Sequence, residues 1–353
     1  MGKIESFKKN DKKVIILKND RIGDLVSSIP AINLIIKQNK GKKVLIYLSN
    51  INYKMNFLLD ESNVEIIKVR YNLKIIERIK IIFFIMFSKI ESIYILRPKN
   101  FYYLLPLIFY IKKIKFYGYC LNNNSYKRPK EFLRRFLTKY VINDRGTKKY
   151  RISGQNLQIK LVNETYQKKL LENEYNFETS ELLKKVLPNN YLLIHYKKII
   201  FDKLEWGTEG LDKIIFNILK FFPNVVLIND IEPTKETNFF KKKYKWFDMK
   251  EGKFNEVNSK VLFLPNLEGI DLINTIKNST KIIAVHGTIT LLSRLIKKPT
   301  LDLFHCEINT NEDYYRYKNA FHEWKPKHSN YKFTIPNKKI DKTIKKINLF
   351  CQK

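Results

Sequence analysis

The chain has 353 residues, more than one ordinary hydrophobic core accommodates, which predicts two domains. Hydrophobic residues make up 44% of the composition and no long Gly/Ser/Pro tract occurs, which excludes a predominantly disordered protein. The 67 basic and 34 acidic residues give a net charge of +33, spread along the chain. This excess indicates either a polyanionic partner or a solvated, lysine-rich surface.

Cysteines and apolar stretches bear on the compartment. The three cysteines, Cys120, Cys306 and Cys351, are odd in number and far apart, so we expect a reducing compartment and no disulfide framework. The N-terminal MGKIESFKKNDKK has no apolar core of the kind that directs secretion. The most apolar stretches, Ile79–Phe87 and Phe101–Ile111, are shorter than the ~20 residues of a spanning helix and predict buried helices or an interfacial face.

Short β-branched runs alternate with helical patterns in both halves of the chain. This alternation predicts parallel sheets covered by helices on both faces, and hence two Rossmann-like units. The predicted strands are Val14–Leu17, Lys43–Leu48, Val64–Val69, Ser92–Leu96, Ile114–Tyr117, Tyr191–His195, Val225–Ile228, Val261–Leu264, Ile282–Val285 and Thr300–Phe304. The predicted helices are Leu25–Gln38, Leu73–Phe87, Leu211–Phe222, Ile270–Lys277 and Thr290–Ile296.

A polar, weakly periodic stretch between about Leu170 and Pro188 predicts the domain boundary. We place the domains at residues 1–175 and 176–336. Residues 337–353 hold the amphipathic pattern Ile340–Phe350, which predicts a C-terminal helix able to pack back across the junction.

The segment LKNDRIGDLVSSIP, Leu17–Pro30, joins the first strand to the first helix. Ligands of open parallel sheets bind beyond the carboxyl ends of the strands, so this loop is a candidate site. Gly23 permits a tight turn, and Asp24 stands where the helical pattern begins. Asp24 is therefore either a helix N-cap or a general base held at the rim of a cleft.

Five stretches, in order, resemble the ADP-heptose:lipopolysaccharide heptosyltransferases of glycosyltransferase family 9. They are Val14–Ile32, Ile93–Tyr119, Tyr191–Trp206, Val225–Glu236 and Val261–Pro299. The resemblance implies an α/β protein with the GT-B fold, in which two Rossmann-like domains have parallel sheets facing across a cleft. It implies that the N-terminal domain binds the acceptor and the C-terminal domain binds the nucleotide sugar.

Site residues follow from the same resemblance. Asp24 would deprotonate the acceptor hydroxyl, and Lys203 would contact the leaving diphosphate. The full donor-binding set is His195, Lys197, Lys198, Lys203, Trp206, Glu232, His286, Gly287, Thr288 and Thr290. The residues alone leave alternatives: a structural role for His195, a surface position for Lys203 and core packing for Trp206.

The sequence departs from the family pattern after the strand Ile282–Val285. His286 stands where the family has a sugar-contacting aspartate, and Leu291 stands where it has a histidine. Gly287 and Thr288 still form a loop that leads into a helix N-terminus, which suits a phosphate. The donor sugar therefore stays open, as does an inactive homologue.

The segment Lys127–Arg151 is strongly basic and places Phe132, Phe136 and Tyr140 four residues apart. It predicts an amphipathic basic helix followed by a basic loop, either as a solvated face or as a surface for anionic lipid or glycan. The predicted acceptor- or membrane-binding residues are Arg21, Lys127, Arg128, Arg134 and Arg135.

The resemblance implies an inverting, metal-independent glycosyltransferase that uses no cofactor, and the absence of a D-x-D pattern is consistent with it. Walker A and G-x-G-x-x-G patterns are also absent, which argues against a P-loop NTPase or an ordinary dinucleotide enzyme. The implied enzyme would transfer a sugar from a nucleotide-diphosphate donor, ADP-heptose or related, to a lipopolysaccharide-core or similar lipid-linked anionic glycan. We expect a cytoplasmic, peripheral position on the bacterial inner membrane and no nucleic-acid partner. The alternatives are a glycosyltransferase of the same fold with another nucleotide sugar and a catalytically inactive basic binding protein.

Overall fold

The computed structural model describes residues 12–59, 63–123, 126–144, 154–163, 177–229, 235–255, 257–305 and 330–352. These form two compact units, the first containing the described residues up to 163 and the second those from 177 onward. The domain boundary predicted at 175/176 lies outside the described residues.

A largely parallel sheet forms the centre of the first unit. Its strands are β1 (Lys13–Lys18), β2 (Lys43–Ser49), β3 (Val64–Val69), β4 (Ile90–Ile95), β5 (Lys115–Asn123), β6 (Tyr126–Arg128) and β7 (Lys139–Asp144). The order is β3-β2-β1-β4-β5, and β5 then pairs with β7 in parallel and with β6 antiparallel. Strand β1 reads as an unbroken apolar run because Val14 to Leu17 are buried on both faces of the sheet.

Helices cover this sheet. They are α1 (Ile22–Gln38), α2 (Ile75–Phe87), α3 (Asn100–Ile108), α4 (Glu131–Arg134) and α5 (Gly154–Val162), with 3₁₀ segments at Asn52–Leu58 and Tyr110–Lys112. Ile81 and Ile85 of α2 and Tyr102 and Tyr103 of α3 join sheet residues in one hydrophobic core.

The second unit repeats the architecture. Its strands are β8 (Tyr191–His195), β9 (Asn224–Ile228), β10 (Lys245–Asp248), β11 (Lys253–Asn255), β12 (Val261–Leu264), β13 (Lys281–Val285), β14 (Thr300–Leu303) and β15 (Tyr331–Thr334). Their order is β11-β10-β12-β9-β8-β13-β14-β15, and among these pairs only β10–β11 is antiparallel in the described part of the chain.

Its helices are α6 (Glu181–Val186), α7 (Lys198–Lys203), α8 (Gly207–Ile218), α9 (Lys235–Lys243), α10 (Gly269–Asn278), α11 (Thr288–Leu295) and α12 (Ile340–Gln352). The C-terminal helix α12 packs on α8, and Lys281 Nζ donates to the carbonyl oxygens of Phe350 (3.1 Å) and Cys351 (2.8 Å). None of the helices in the described residues has both the length and the hydropathy needed to span a bilayer.

One predicted element is wrong. The amphipathic basic helix expected through Phe132, Phe136 and Tyr140 is replaced by the four-residue α4 and the strand β7. Tyr140 and its β-branched neighbours Val141 and Ile142 pair in register with β5, so strand pairing prevails over the helical spacing.

Candidate functional site

The loop from β1 to α1 is held by a dense set of hydrogen bonds. Lys18 Nζ lies 2.6 Å from Asp20 Oδ2, and both side chains are buried. Asn52 Nδ2 donates to Asp20 Oδ1 (3.1 Å) and to the Lys18 carbonyl (2.8 Å), while Ser49 Oγ donates to the Asp20 carbonyl (2.7 Å). The backbone that leads to Asp24 is therefore fixed by β2 and the 3₁₀ segment that follows it.

Asp24 lies in the first turn of α1, half-buried, and Arg21 is the N-cap residue. The alternative of Asp24 as the N-cap is therefore wrong. Ser27 Oγ and Ser28 Oγ both donate to the Asp24 carbonyl oxygen at 2.8 Å. These hydroxyls therefore stabilise the backbone of the turn and do not bond to the Asp24 carboxylate.

A cavity of about 380 Å³ opens beside this loop, at the carboxyl ends of β1 and β4. From β1 the sheet is built in one direction through β2 and β3 and in the other through β4 and β5. The gap between β1 and β4 is therefore the topological switch point, where open α/β sheets bind ligands. Its lining contains five cationic side chains against two carboxylates and belongs entirely to the first unit. The charged lining residues are Lys18, Asp20, Arg21, Asp24, Arg97, Lys99 and Arg128.

Two of these cations, Arg97 and Lys99, contact the same residue, Tyr71. Arg97 is buried, its Nη1 donates to the Tyr71 carbonyl at 2.8 Å, and its guanidinium carbon lies 4.2 Å from the Tyr71 ring centroid. Lys99 Nζ donates to the same carbonyl at 2.5 Å. The loop before α3 thus presents positive charge to the cavity that holds Asp24, and Tyr71 in the loop before α2 fixes both cations.

Burial sets the titration of this cluster. Burial raises the pKa of Asp20 to about 6, against the opposing effect of Lys18. Burial, together with the charge of Arg97, lowers the pKa of Lys99 to about 8. Lys99 is therefore a cation that can lose its proton slightly above neutral pH.

The predicted acceptor-binding arginines are dispersed. Arg21 and Arg128 line the cavity. Arg134 is buried, with Nη2 3.4 Å from the Pro129 carbonyl, so it stabilises the fold locally and does not face solvent. Arg135 is exposed and lies outside the cavity lining, while Lys127 belongs to β6 and its side chain is not among those described.

In the second unit, two of the predicted donor residues, His195 and His286, lie at the switch point between β8 and β13. His195 ends β8, pairs in register with Ala284 and is buried. His286 directly follows β13. The two histidines therefore occupy the carboxyl ends of neighbouring parallel strands, the location expected for a nucleotide ligand in this type of sheet.

His286 is oriented by a buried carboxylate. Its Nδ1 lies 2.7 Å from Asp302 Oδ2, and the Tyr331 hydroxyl donates to the same oxygen. The His286 ring also packs edge-on against Phe304 at a centroid distance of 4.7 Å. An imidazole whose Nδ1–H donates to a carboxylate presents Nε2 in a fixed direction, which suits hydrogen bonding to a ligand.

Gly287 and Thr290 shape the start of α11. Gly287 has φ 155° and ψ −145°, a region open essentially to glycine alone. Its N–H donates to Thr290 Oγ1 (3.1 Å), which donates back to the Gly287 carbonyl (2.8 Å). Thr290 is thus a buried loop clamp, and Thr288 begins the helix, where backbone N–H groups favour anions.

The lysines after β8 differ in their surroundings. Lys198 Nζ forms ion pairs with Asp202 (2.7 Å) and Glu236 (2.9 Å), and these hydrogen bonds raise its pKa. Lys197 is the half-buried N-cap residue of α7, and Lys203 is its exposed last residue. Since two carboxylates neutralise Lys198, Lys197 is the more suitable of the adjacent pair for an anion.

Trp206 packs in the hydrophobic core of the second unit. Its ring meets Phe201 edge-on at a centroid distance of 5.4 Å, and its indole N–H lies 3.1 Å from the carbonyl oxygens of Asn337 and Lys338. These contacts match the core-packing role that the sequence left open for Trp206, as opposed to stacking on a ligand. Glu232 lies outside the described residues, and in the described part of the chain no three His, Cys, Asp or Glu side chains group as metal ligands.

No protein-family model and no curated protein matches the sequence. Solved structures with similar folds include a glycosyl transferase of family 9 from Veillonella parvula, with 12% identity and a TM-score of 0.61 over 96% of this chain and 91% of that one. Escherichia coli heptosyltransferase WaaC with ADP gives 11% identity and a TM-score of 0.59, covering 96% and 99% of the two chains. The E. coli ADP-heptose LPS heptosyltransferase II has 10% identity and a TM-score of 0.59, over 96% of this chain and 98% of that one.

The chain has the GT-B fold. The sequence-based prediction of this fold is confirmed by those similarities and by two parallel α/β sheets with central first strands.

Several site residues escape the sequence reasoning. Arg97 and Lys99 lie two and four residues after β4, and their position just beyond a strand next to β1 is the signal that the sequence offers. The roles of Tyr71 and Asp302 depend on contacts with residues 26 and 16 positions away, which no local pattern in a GT-B sequence indicates.

Proposed function

We propose that this chain is an inverting, metal-independent glycosyltransferase that moves a sugar, heptose or related, from a nucleoside-diphosphate donor to an anionic glycan. The observation that carries the proposal is Asp24 on a rigid strand–turn–helix inside a cationic cavity at a topological switch point. A general base needs this combination of fixed position and access to a bound hydroxyl.

In the proposed reaction, the Asp24 carboxylate takes the proton of the acceptor hydroxyl. The hydroxyl oxygen attacks the anomeric carbon opposite the leaving group, the bond from that carbon to the diphosphate oxygen breaks, and the configuration inverts. The nucleoside diphosphate leaves with the bonding electron pair. Its negative charge would be stabilised by the α11 N-terminus at Thr288, by Lys197 and by His286.

The charge of the cavity supports the proposed acceptor class. Five cationic side chains around Asp24 suit phosphate or carboxylate groups on a glycan. One structural neighbour is an ADP-heptose LPS heptosyltransferase, and we extend that acceptor class to this chain as a lipopolysaccharide-core or similar lipid-linked glycan. The reaction would then take place at the cytoplasmic face of a bacterial inner membrane.

Replacing Asp24 tests the base. Asp24→Asn keeps the shape and removes the proton acceptor, so we expect transfer to fall by about 10²- to 10⁴-fold. The measurement is kcat/KM for glycosyl transfer with a panel of nucleotide sugars, with and without EDTA. Donor binding, followed as a ligand-induced rise in Tm, should stay unchanged in the variant.

Glu131→Gln is the matched control, since Glu131 is an exposed carboxylate in α4 of the same unit. Transfer by Asp24→Asn at the wild-type rate would contradict the mechanism. A wild-type chain that binds a donor yet transfers no sugar would favour the inactive binding protein.

A different nucleotide sugar is the second candidate. It is favoured by the His286–Asp302 pair, which presents an imidazole where the resembled family has an aspartate. The donor panel distinguishes the two, because the preferred donor gives the largest kcat/KM.

A further inference from the structure

Two adjacent helices of the first unit leave large apolar side chains in solvent. On α2, Ile76, Ile79, Phe83 and Phe87 are exposed along one stripe, opposite the buried Ile81 and Ile85. The α3 segment and its 3₁₀ extension add Ile108 and Ile111. We call these six exposed side chains the apolar face.

The two helical segments form one surface because they contact each other at both ends. Near the start of α2, the Arg78 guanidinium carbon lies 5.6 Å from the ring centroid of Phe101 in α3. Near its end, Lys112 Nζ donates to the Ile85 carbonyl (3.2 Å) and to the Met86 carbonyl. Several large apolar side chains exposed together on neighbouring helical segments mark an interaction site.

The two segments that carry the apolar face are rich in positive charge. Segments 74–89 and 99–115 contain four Lys or Arg residues each, against the single acidic residue Glu77. The Glu77 carboxylate accepts the backbone N–H groups of Arg70 (3.0 Å) and Lys74 (2.8 Å), so it is engaged at the helix start. The two segments therefore carry a net positive charge with little acidic compensation.

The apolar face extends from the proposed acceptor cavity. Tyr71 and Lys99, which line the cavity, lie in the loops that lead directly into α2 and α3. A glycan held in the cavity would have its lipid anchor next to the starts of these helices.

We propose that the apolar face docks on an anionic lipid bilayer, with the apolar side chains among the acyl chains and the Lys and Arg residues against the headgroups. This inference rests on the proposed function only for the lipid-linked acceptor. Helices with an apolar stripe and a basic rim bind at such interfaces, and each Lys or Arg near an anionic surface adds attraction. A second copy is a poor occupant, because it would bring the same positively charged segments against each other.

Vesicle flotation tests the docking. We expect the full chain to bind phosphatidylcholine vesicles that contain phosphatidylglycerol and to bind pure phosphatidylcholine vesicles much more weakly. The double variant Phe87→Asp/Ile111→Asp replaces side chains that are 79% and 93% exposed, so the fold should tolerate it. It should lower the partition constant by about tenfold or more, since each change removes a large apolar side chain that would be buried among the acyl chains.

Phe216→Asp/Phe254→Asp is the matched control, as these phenylalanines of the second unit are 67% and 57% exposed. It should bind vesicles like the wild type. Docking is contradicted if the wild type binds neither kind of vesicle or binds both equally. It is also contradicted if the Phe87/Ile111 variant binds as well as the wild type, or if the control loses as much binding as that variant. A dimer in sedimentation that the Phe87/Ile111 variant dissociates, without vesicle binding, would instead assign the face to a second copy.

The result is separable from the transferase proposal. Asp24→Asn should bind vesicles like the wild type, whereas the Phe87/Ile111 variant should transfer sugar normally to a water-soluble acceptor fragment. If the chain binds vesicles but transfers no sugar, the docking proposal stands and only the proposed glycosyltransferase activity is contradicted.

Discussion

The two carboxylates of the cavity have different environments although they are four residues apart. Asp20 is buried and paired with Lys18, while Asp24 is half-buried on the first turn of α1. Asp20 therefore fixes the loop, and Asp24 is the one accessible to a substrate. Separation of roles by environment is common where two acids share a site.

The raised pKa of Asp20 predicts a pH-dependent contribution to stability. The folded state protonates Asp20 at about 6 and the unfolded chain at its ordinary value of 3.8, so the folded state binds more protons between these values. The Asp20 contribution to the free energy of unfolding therefore falls as pH rises through this window, by at most about 3 kcal/mol. Asp20→Asn should lack this fall.

Thermal or urea unfolding of the wild type and Asp20→Asn between about pH 4 and pH 7 measures the difference. The stability of the variant relative to the wild type should rise with pH, and Glu131→Gln should follow the wild-type curve. Parallel curves for Asp20→Asn and the wild type would show that Asp20 titrates normally.

Lys99 gives a second pH dependence, which concerns acceptor binding. Its pKa of about 8 means that the ammonium charge is lost as pH rises through that value. If Lys99 holds an acceptor anion, the acceptor KM should increase by about tenfold above this pH, the worth of a charged hydrogen bond.

Lys99→Arg keeps a positive charge at high pH and should flatten the rise, which steady-state kinetics between about pH 7 and pH 9.5 would detect. Lys130→Arg, at an exposed position of the same unit, is the control. An unchanged pH profile in Lys99→Arg would remove Lys99 from acceptor binding.

Residue-level prediction succeeded in placing local motifs and missed long-range partners. The strand–turn–helix motif placed Asp24 and Arg21 at a strand end, and the structure puts both in the cavity. Arg97 joins them only because β4 pairs with β1, and the contact between Asp302 and His286 requires the β13–β14 pairing. Their roles as site residues remain predictions.

At the scale of elements, one helix differs from its predicted boundaries at a pair of glycines. The helix predicted at Leu211–Phe222 is α8, which starts four residues earlier at Gly207 and ends at Ile218. Gly207 and Gly210 resemble helix breakers in sequence. In the structure Gly210 is required by packing, since a Cβ there would lie 2.5 Å from Trp206 Cβ and 3.1 Å from Ile340 Cδ1.

Gly210→Ala should therefore destabilise the second unit by about 1 to 3 kcal/mol through overpacking. The sign is opposite to the gain of about 0.5 to 1 kcal/mol that Gly→Ala gives in an unconstrained helix. Chemical unfolding measures the change, with Lys213→Ala on the exposed side of α8 as the control. A stabilised Gly210→Ala variant would contradict the packing of Trp206 and Ile340 against α8.

Across the whole molecule, the alternation of strands and helices was sufficient for the architecture. The predicted strands correspond to ten of the fifteen observed strands among the described residues, and the five missed are β6, β7, β10, β11 and β15. These missed strands lie toward the ends of the sheets, where runs are short and exposed polar residues interrupt the apolar signal. Central strands are buried on both faces and are therefore readable from sequence.

The position of the first strand in each unit has a consequence for biosynthesis. Strand β1 lies between β2 and β4, and its Val14 pairs with Ser92; strand β8 lies between β9 and β13, and its Leu192 pairs with Lys281 as its neighbour strand begins. During synthesis on the ribosome, the second edge of β1 stays unpaired until β4 has been made, and that of β8 until β13 has been made, each some dozens of residues later. Non-local pairing of this kind slows folding, so each half of the nascent chain passes through a stage in which a buried central strand has an open edge.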